Sequence, residues 1–217
     1  MKGNLQACGL HIASLLLFLS VPHLLADETV DEGDSQKGDI HYAVVKVSDS
    51  SYKVLLSLVD HPEQSVELFT TEVPLFAKCL SISPDEKWIV VTEGGGSFGL
   101  VAHLFKRGNG LHYTENKDAD IDDKAEILAW KQSNLTPARS LSNHQSKLAA
   151  GEYLLDHRYV TVLSWAPNSQ SMLVHLDGHE GRTHIVGWLG IYDVISGEFS
   201  YDLAKMNNQM IFINNPR

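Results

Sequence analysis

LSISPDEK at residues 80–87 and LSWAPNSQ at residues 163–170 are two copies of one pattern. Each copy is followed by an apolar run, WIVVTEG at 88–94 and SMLVHLDG at 171–178. An internal repeat of this kind predicts a repeated structural unit. Within each copy, the proline presets a turn ahead of the apolar run, and the Asp or Asn after it can hydrogen-bond to the backbone of that turn. The pattern therefore predicts strand, tight turn and strand in both copies.

The repeat continues beyond the second strand. A third strand is predicted at 99–106 and 187–193, and a fourth at 111–116 and 198–203. Glycine-containing turns separate the third and fourth strands in both copies, which is typical of antiparallel neighbours. Each copy therefore predicts a four-stranded meander, over residues 76–117 and 160–204.

The rest of the chain has residue patterns that differ from those of the repeat. Short β-branched and aromatic runs over 40–73 predict strands of a further, partial blade. Residues 122–133 have apolar spacing typical of a helix, so we predict a helical insert over about 118–158. Residues 27–39 hold many acids and few apolar groups, which predicts a disordered acidic leader. The expected domain over 40–217 is all-β, with antiparallel four-stranded propeller-like blades and one helical insert.

The repeat resembles the WD40-like repeat of TolB-type β-propellers. The resemblance rests on the strand, then S-P-D-x-K or A-P-N-S-Q, then the apolar strand. Family repeats usually carry glycine where Glu86 and Ser169 stand, and the second copy has Asn168 in place of Asp. The resemblance implies an incomplete or atypical propeller, because closed propellers have about four to eight blades. It also implies an interaction platform or an accessory domain.

The N-terminus predicts export. Lys2 precedes an apolar run over 7–21, and Pro22 and Ala26 follow it, which is the order of regions in a secretory signal. The run is shorter than the roughly 20 residues that span a bilayer. We therefore expect a signal peptide at 1–26, a periplasmic or secreted protein and no membrane insertion after cleavage. A retained membrane anchor is the alternative.

Charge and cysteine content limit the partners. The formal net charge is −10 at pH 7, and an acidic surface without a basic stripe argues against nucleic-acid binding. Cys8 lies in the predicted signal, so Cys79 remains alone and no intrachain disulfide is expected. Cys79 lies in an apolar run, which predicts a buried thiol. No cofactor is expected.

One serine suggests an alternative, catalytic function. Residues 95–99 fit G-x-S-x-G, the nucleophile elbow of α/β-hydrolases, with Ser97 as nucleophile and Asp177 and His184 as possible triad partners. The elbow needs a helix directly after the serine. The repeat instead predicts a strand there, which favours a hairpin loop.

A histidine-rich segment suggests a second alternative. His175, His179 and His184 could bind a divalent metal ion, because alternate residues of a strand share one face. The spacing H-E-x-x-x-H is one residue too long for the zincin motif. A polar loop between strands is the simpler interpretation. The aspartates at 118–123 lack the glycine and glutamate of an EF-hand, so helix capping explains them better than calcium.

The sequence therefore predicts an exported, non-catalytic binding protein with a protein partner. Binding is expected in the loops after the second strand of each blade, through Gly95, Ser97, Phe98, His179 and Arg182. The alternative is a small secreted hydrolase that uses Ser97 or the histidine cluster. A truncated relic of a larger propeller is a third interpretation.

Overall fold

The computed structural model describes residues 28–75, 78–94, 99–132, 155, 157–180, 183–207 and 211–213. The predicted signal peptide lies outside them. Within them, no helix is long and apolar enough to cross a membrane. The fold of these residues is all-β, with three four-stranded meanders, one longer helix and two short helices, a 3-10 helix at Lys117–Ala119 and an α-helical turn at Ala204–Asn207.

The first meander forms a sheet of its own, in the order β1-β2-β3-β4. Its strands are β1 (Glu28–Asp34), β2 (Ile40–Ser48), β3 (Ser51–Leu58) and β4 (His61–Thr71). The prediction of a partial blade over 40–73 is therefore corrected to a complete one, because four antiparallel strands pair in order.

The prediction of a disordered acidic leader is wrong for residues 28–39. Strand β1 pairs with β2 from Glu28 to Asp34. The first meander buries only one face of its sheet, so Val30 packs on the core and Gly33 lies against the Tyr42 ring, while Glu32 and Asp34 lie on the opposite face. The acidic composition of this segment therefore did not reveal that it forms a strand.

The second and third meanders match the predicted repeat. The second has β5 (Leu80–Ile82), β6 (Trp88–Gly94), β7 (Gly99–Arg107) and β8 (Tyr113–Glu115). The third has β9 (His157–Trp165), β10 (Ser171–Glu180), β11 (Thr183–Asp193) and β12 (Glu198–Ser200). A last strand, β13 (Ile211–Ile213), pairs with β11.

These two meanders join into one nine-stranded sheet, which the sequence did not predict. The junction is a short parallel pairing of Gly99 and Leu100 in β7 with Arg158 and Tyr159 in β9. Gly99 has a φ of +117°, and a Cβ atom there would lie 1.7 Å from the Arg158 carbonyl oxygen. Only glycine therefore fits at the junction.

The predicted helix is confirmed as α1 (Ile121–Gln132). Ile121, Ala125 and Leu128 enter the core between the second and third meanders. Hydrogen bonds also join this segment to the third meander: the Trp188 indole N–H donates to Gln132 Oε1 at 3.1 Å, and the Tyr192 hydroxyl donates to the carbonyl of Ala119, just before the helix, at 3.0 Å. The rest of the predicted insert, 133–154 and 156, lies outside the described residues.

The middle meander is buried on both faces. Along β6, Trp88 and Val90 enter the core shared with the third meander and α1. Ile89 and Val91 enter the core shared with the first meander. Cys79, as predicted, is a buried free thiol in that second core, where burial raises its pKa to about 11.

The first tight turn of each meander has the same geometry, at 35–40, 83–88 and 166–171. In each turn the first residue donates its N–H to the carbonyl of the sixth, and the fourth donates to the carbonyl of the first. The fourth residue is left-handed, with φ of +86° at Gly38 and +59° at both Glu86 and Ser169. The glycine that the resembling family carries there thus has a conformational reason.

At two of the three turns, the residue at the glycine position connects neighbouring meanders. The Glu86 side chain is fully buried and accepts hydrogen bonds from the Ser35 hydroxyl (2.5 Å), the Asp39 backbone N–H (3.2 Å) and Arg107 Nη1 (3.1 Å). Ser169 Oγ accepts from the Asp85 backbone N–H at 2.9 Å. These side chains therefore link the three turns in series.

We predict that Glu86→Gln lowers the free energy of unfolding by about 2–3 kcal/mol, because it removes the charge that pairs with Arg107 in a buried site. Urea unfolding at pH 7 measures the change. Ser169→Gly is the matched control: it relieves the left-handed backbone while losing one hydrogen bond, so its effect should stay within about 1 kcal/mol. Equal losses in the two variants would contradict a special role for the Glu86 carboxylate.

Candidate functional site

The nucleophile elbow is contradicted by the local fold. Strand β7 begins at Gly99, so a strand and not a helix follows the G-x-S-x-G segment. The described residues that follow Ser97 in the chain therefore offer no helix N-terminus to stabilise an oxyanion. Gly95, Ser97 and Phe98 themselves lie outside the described residues, as does Arg182.

The histidine segment lies largely on strands, which corrects the prediction of a loop. β10 extends to Glu180 and β11 begins at Thr183. Both strands continue beyond the repeat because they pair with each other up to Glu180 and Thr183. His179 is thus on a strand, not in a binding loop.

Three histidines form one row across three strands. His179 is paired with His157 on β9 and with His184 on β11. The His157 and His179 rings stack at a centroid distance of 4.4 Å, and those of His179 and His184 lie 5.6 Å apart. His157 Nδ1 is buried and has no hydrogen-bond partner within the described part of the chain. We call His157, His179 and His184 the histidine row.

His175 does not join this row, so the structure does not assemble the predicted metal ligands. His175 precedes His179 by four residues on the same strand, and its Nε2 lies 3.5 Å from Asp177 Oδ2. Asp177 also accepts the Gly187 backbone N–H at 2.5 Å, at a β-bulge, and is therefore engaged away from His184. Among the described residues, no three histidine, cysteine or carboxylate side chains are grouped closely enough to hold a metal ion.

The histidine row belongs to a larger surface, the outer face of β9, β10 and β11. The opposite face of these strands enters the core through Met172, Val174 and Leu176. On the outer face, large apolar side chains are exposed: Leu163 by 55%, Val186 by 50% and Tyr159 by 37%. We call this surface the outer face of the third meander. It is the end of the stack, with no further meander against it in the described chain.

A second candidate site is a cleft of about 180 Å³ at the open edge of β7. On the side of β7 away from β6, β8 pairs with its end and β9 with its start, so residues 101–104 have no neighbouring strand on that side in the described chain. The cleft is lined mainly by polar side chains: His103, Glu115, Asn116, Asp122, Asp123 and Arg158.

Asp122 closes the gap in the β7 ladder. Its two carboxylate oxygens lie 3.2 and 3.3 Å from the Ala102 backbone N–H nitrogen, which donates to them. Burial raises the Asp122 pKa to about 6, although Arg158 and the Ala102 N–H oppose the shift. Arg158 Nη1 in turn binds Asp123 (2.6 Å) and Glu126 (3.2 Å). These contacts bind α1 to the sheet edge.

The imidazole beside the cleft is fully engaged. His103 Nδ1 lies 2.9 Å from Glu115 Oε1, and Nε2 lies 3.1 Å from Glu93 Oε2. Glu93 also accepts from the Thr71 hydroxyl, and the His103 ring packs on Phe69 at 4.9 Å. With both nitrogens bound to carboxylates, His103 has none free for general-base catalysis in this arrangement. Of the described residues that line the cleft, none is a serine, threonine, cysteine or tyrosine.

The sequence alone missed His157, His103 and the burial of Asp122. His157 lies just before the first strand of the second repeat copy, and an extension of that strand beyond the repeat would have placed it beside His179. Asp122 gave a different signal, an acid in the first turn of a predicted helix, which ordinarily caps that helix. Its contact with Ala102 depends on tertiary structure.

Comparisons with known proteins give little beyond this geometry. No protein-family model matches the chain, and no curated protein matches it. Two solved structures resemble it. They are the uncharacterized protein lmo1340 from Listeria monocytogenes EGD-e, with 10% identity and a TM-score of 0.42, and the β-propeller domain of Cps50 (Swd1) from Myceliophteria thermophila, with 10% identity and a TM-score of 0.39.

The two alignments cover 80% and 79% of this chain, which spans only 39% and 55% of those two chains. Likeness at this level carries no argument about function. The blade-like all-β fold stands on the three meanders of this chain, and a specific relation to TolB-type propellers stays a prediction.

We predict that Asp122 makes stability depend on pH between about 4 and 6. Because its folded pKa is raised above the usual 3.8, the folded state holds this proton more tightly. The contribution of Asp122 to stability is therefore greatest below pH 4 and is lost as pH rises through 6. Relative to Asp122→Asn, the wild type should lose about 2–3 kcal/mol from pH 4 to pH 7, since each pKa unit corresponds to about 1.4 kcal/mol.

Urea unfolding at a series of pH values measures this difference, with the exposed neighbour Asp118→Asn as control. A constant difference between the wild type and Asp122→Asn from pH 4 to pH 7 would show that the Asp122 proton is not held by burial.

Proposed function

We propose that this protein is an exported, non-catalytic binding protein that holds another protein against the outer face of the third meander. The observation that supports this proposal most directly is the exposure of Leu163, Val186 and Tyr159 on one sheet face. Exposed apolar groups that share one surface are typical of protein-binding sites, whereas single exposed apolar residues are not.

The composition of this face fits a protein partner. The exposed apolar residues lie beside partly buried Leu173, Leu189 and Ile191 and beside the histidine row. Imidazole rings contribute flat apolar surface and N–H groups together, which suits a mixed protein interface. Asp177 accepts the Gly187 backbone N–H and lies 3.5 Å from His175 Nε2, so its carboxylate keeps these partners when the face is covered.

The cleft at β7 supports a structural role more than a catalytic one. Asp122, the group with a pKa of about 6, is bound to the backbone of β7, and the His103 nitrogens are both occupied. A general acid or base needs a free position toward a substrate. The alternative of a small secreted hydrolase has no assembled set of groups among the described residues.

Export is proposed from the sequence of the N-terminus. The order of Lys2, the apolar run and Ala26 is that of a cleavable signal. We expect the protein recovered from the periplasm or the medium to begin near Asp27, and intact-mass measurement of that protein tests it. Recovery with residues 1–26 attached, in the membrane fraction, would indicate the retained anchor instead.

We predict that the wild-type protein, used as bait on the exported fraction, retains a polypeptide that Leu163→Glu/Val186→Glu does not. Each substitution puts a carboxylate where the partner would cover it, and burying an unpaired charge weakens binding at least about tenfold. Quantitative mass spectrometry of the eluates measures the retention.

Val66→Glu is the matched control, because Val66 is also an exposed apolar strand residue (40%) but lies on the first meander. It should retain the same polypeptide as the wild type. If the double variant binds as well as the wild type, or if the wild type retains nothing, the outer face of the third meander is not a binding surface.

A further inference from the structure

We propose that the protein bound to the outer face of the third meander is a second copy of this chain, with the same face of each copy packed against the other. This proposal rests on the proposed function, since it names the partner of that surface. The result is a two-fold symmetric dimer, in which one patch serves both copies.

Charge favours this face over the rest of the surface. The chain has a formal net charge of −10, so two copies repel each other wherever acids are concentrated. The described titratable side chains on this face are His157 and Tyr159 from β9, His175, Asp177 and His179 from β10, and His184 from β11. Only one of them is an acid, and it is paired with His175.

Among the side chains that the structure describes, further acids of this face lie at one end. Asp193 and Glu198 are paired across β11 and β12, where these strands meet their turn. The Asp193 carboxylate accepts from the backbone N–H of Ile195 and Ser196, so it is held in that turn. Strand β13, at the other end, contributes no titratable residue. The centre of the face is therefore nearly free of negative charge.

The other end of the stack does not offer a comparable surface. The register of β1 to β4 places Glu32, Asp34 and Glu67 on the outer face of the first meander. Two of these acids already have partners within the face, with Lys53 Nζ 2.8 Å from Glu67 and His41 Nδ1 2.8 Å from Asp34. A charged face of this kind binds water and its own side chains well, so it is a poor surface for the apolar outer face of another copy. Head-to-tail association, in which the first meander of one copy would cover the third meander of the other, is therefore disfavoured.

Packing of sheet on sheet is also how this chain buries its other faces. The middle meander contacts both neighbours through apolar side chains of alternate residues. Two outer faces would pack in the same way, about 10 Å apart. The cross-strand rows that would interdigitate are Ser164, Leu173 and Ile191, and Thr161, His175 and Leu189, with Leu163 at the β-bulge between the two rows.

The size of the face predicts a reversible dimer. Three strands about 4.8 Å apart, each with about ten residues at about 3.3 Å, give a face of roughly 15 by 33 Å. Two such faces bury about 1,000 Å², the lower end for a specific interface. We therefore expect a dissociation constant in the micromolar range, so the state of the protein should change with concentration.

Sedimentation velocity and light scattering of the purified protein test the proposal at pH 7.5. The wild type should shift from monomer toward dimer between about 1 and 100 µM, a range that brackets the affinity expected from the area. Leu163→Glu and Val186→Glu, each alone, should weaken the dimer at least about tenfold, while Val66→Glu should associate like the wild type. Far-UV circular dichroism confirms that each variant is folded.

A wild type that stays monomeric at 100 µM would overturn the second copy as the partner. A dimer that neither Leu163→Glu nor Val186→Glu weakens would overturn it too, because association would then use another surface. The proposed function is tested separately. If the protein is monomeric but still retains a different polypeptide that the double variant loses, the face binds a protein and only its identity as a second copy fails.

Discussion

The burial of both faces of the middle meander holds the described fold together. Alternate residues of WIVV in β6 enter opposite cores, with Trp88 and Val90 on one side and Ile89 and Val91 on the other. The first and third meanders, by contrast, each have a single buried face. Two separate cores thus depend on one sheet, and a cavity in β6 is expected to loosen both. The outer faces at the two ends of the stack differ from the faces of the middle meander, because neither of them meets a further meander in the described chain.

Much of this architecture was available from the sequence. The repeated turns at 80–87 and 163–170 predicted two meanders, and the apolar spacing after Asp122 predicted α1. The first meander was only partly predicted, because its turn has Gln36 and Lys37 in place of a Pro-Asp pair. The acids of β1 also concealed a strand that buries only Val30. The short parallel pairing of β7 and β9 had no local signal, since it depends on how two meanders meet.

The candidate site shows a similar division. His179 and His184 were recognised as neighbours, because a strand pair brings them together across a short connection. His157 is distant in sequence, and only the pairing of β9 with β10 places it beside His179. The burial of Asp122 depends on a gap between β8 and β9 along the edge of β7. A helical pattern shows where such an acid lies along the helix, but not which backbone group it meets.

The left-handed residue of the tight turns has a consequence for how this protein could change. Gly38 has no side chain that needs a partner, so glycine at this turn position sets no requirement on the neighbouring meander. Glu86 fits only where a serine hydroxyl and an arginine surround it, as Ser35 and Arg107 do. The three meanders are therefore no longer interchangeable, and their order along the chain is fixed. A copy of the middle meander inserted elsewhere would carry Arg107 with it but would lose the donors of the first meander, the Ser35 hydroxyl and the Asp39 N–H. Its buried Glu86 carboxylate would then keep one of these three donors, so lengthening this stack by duplication favours glycine at that position.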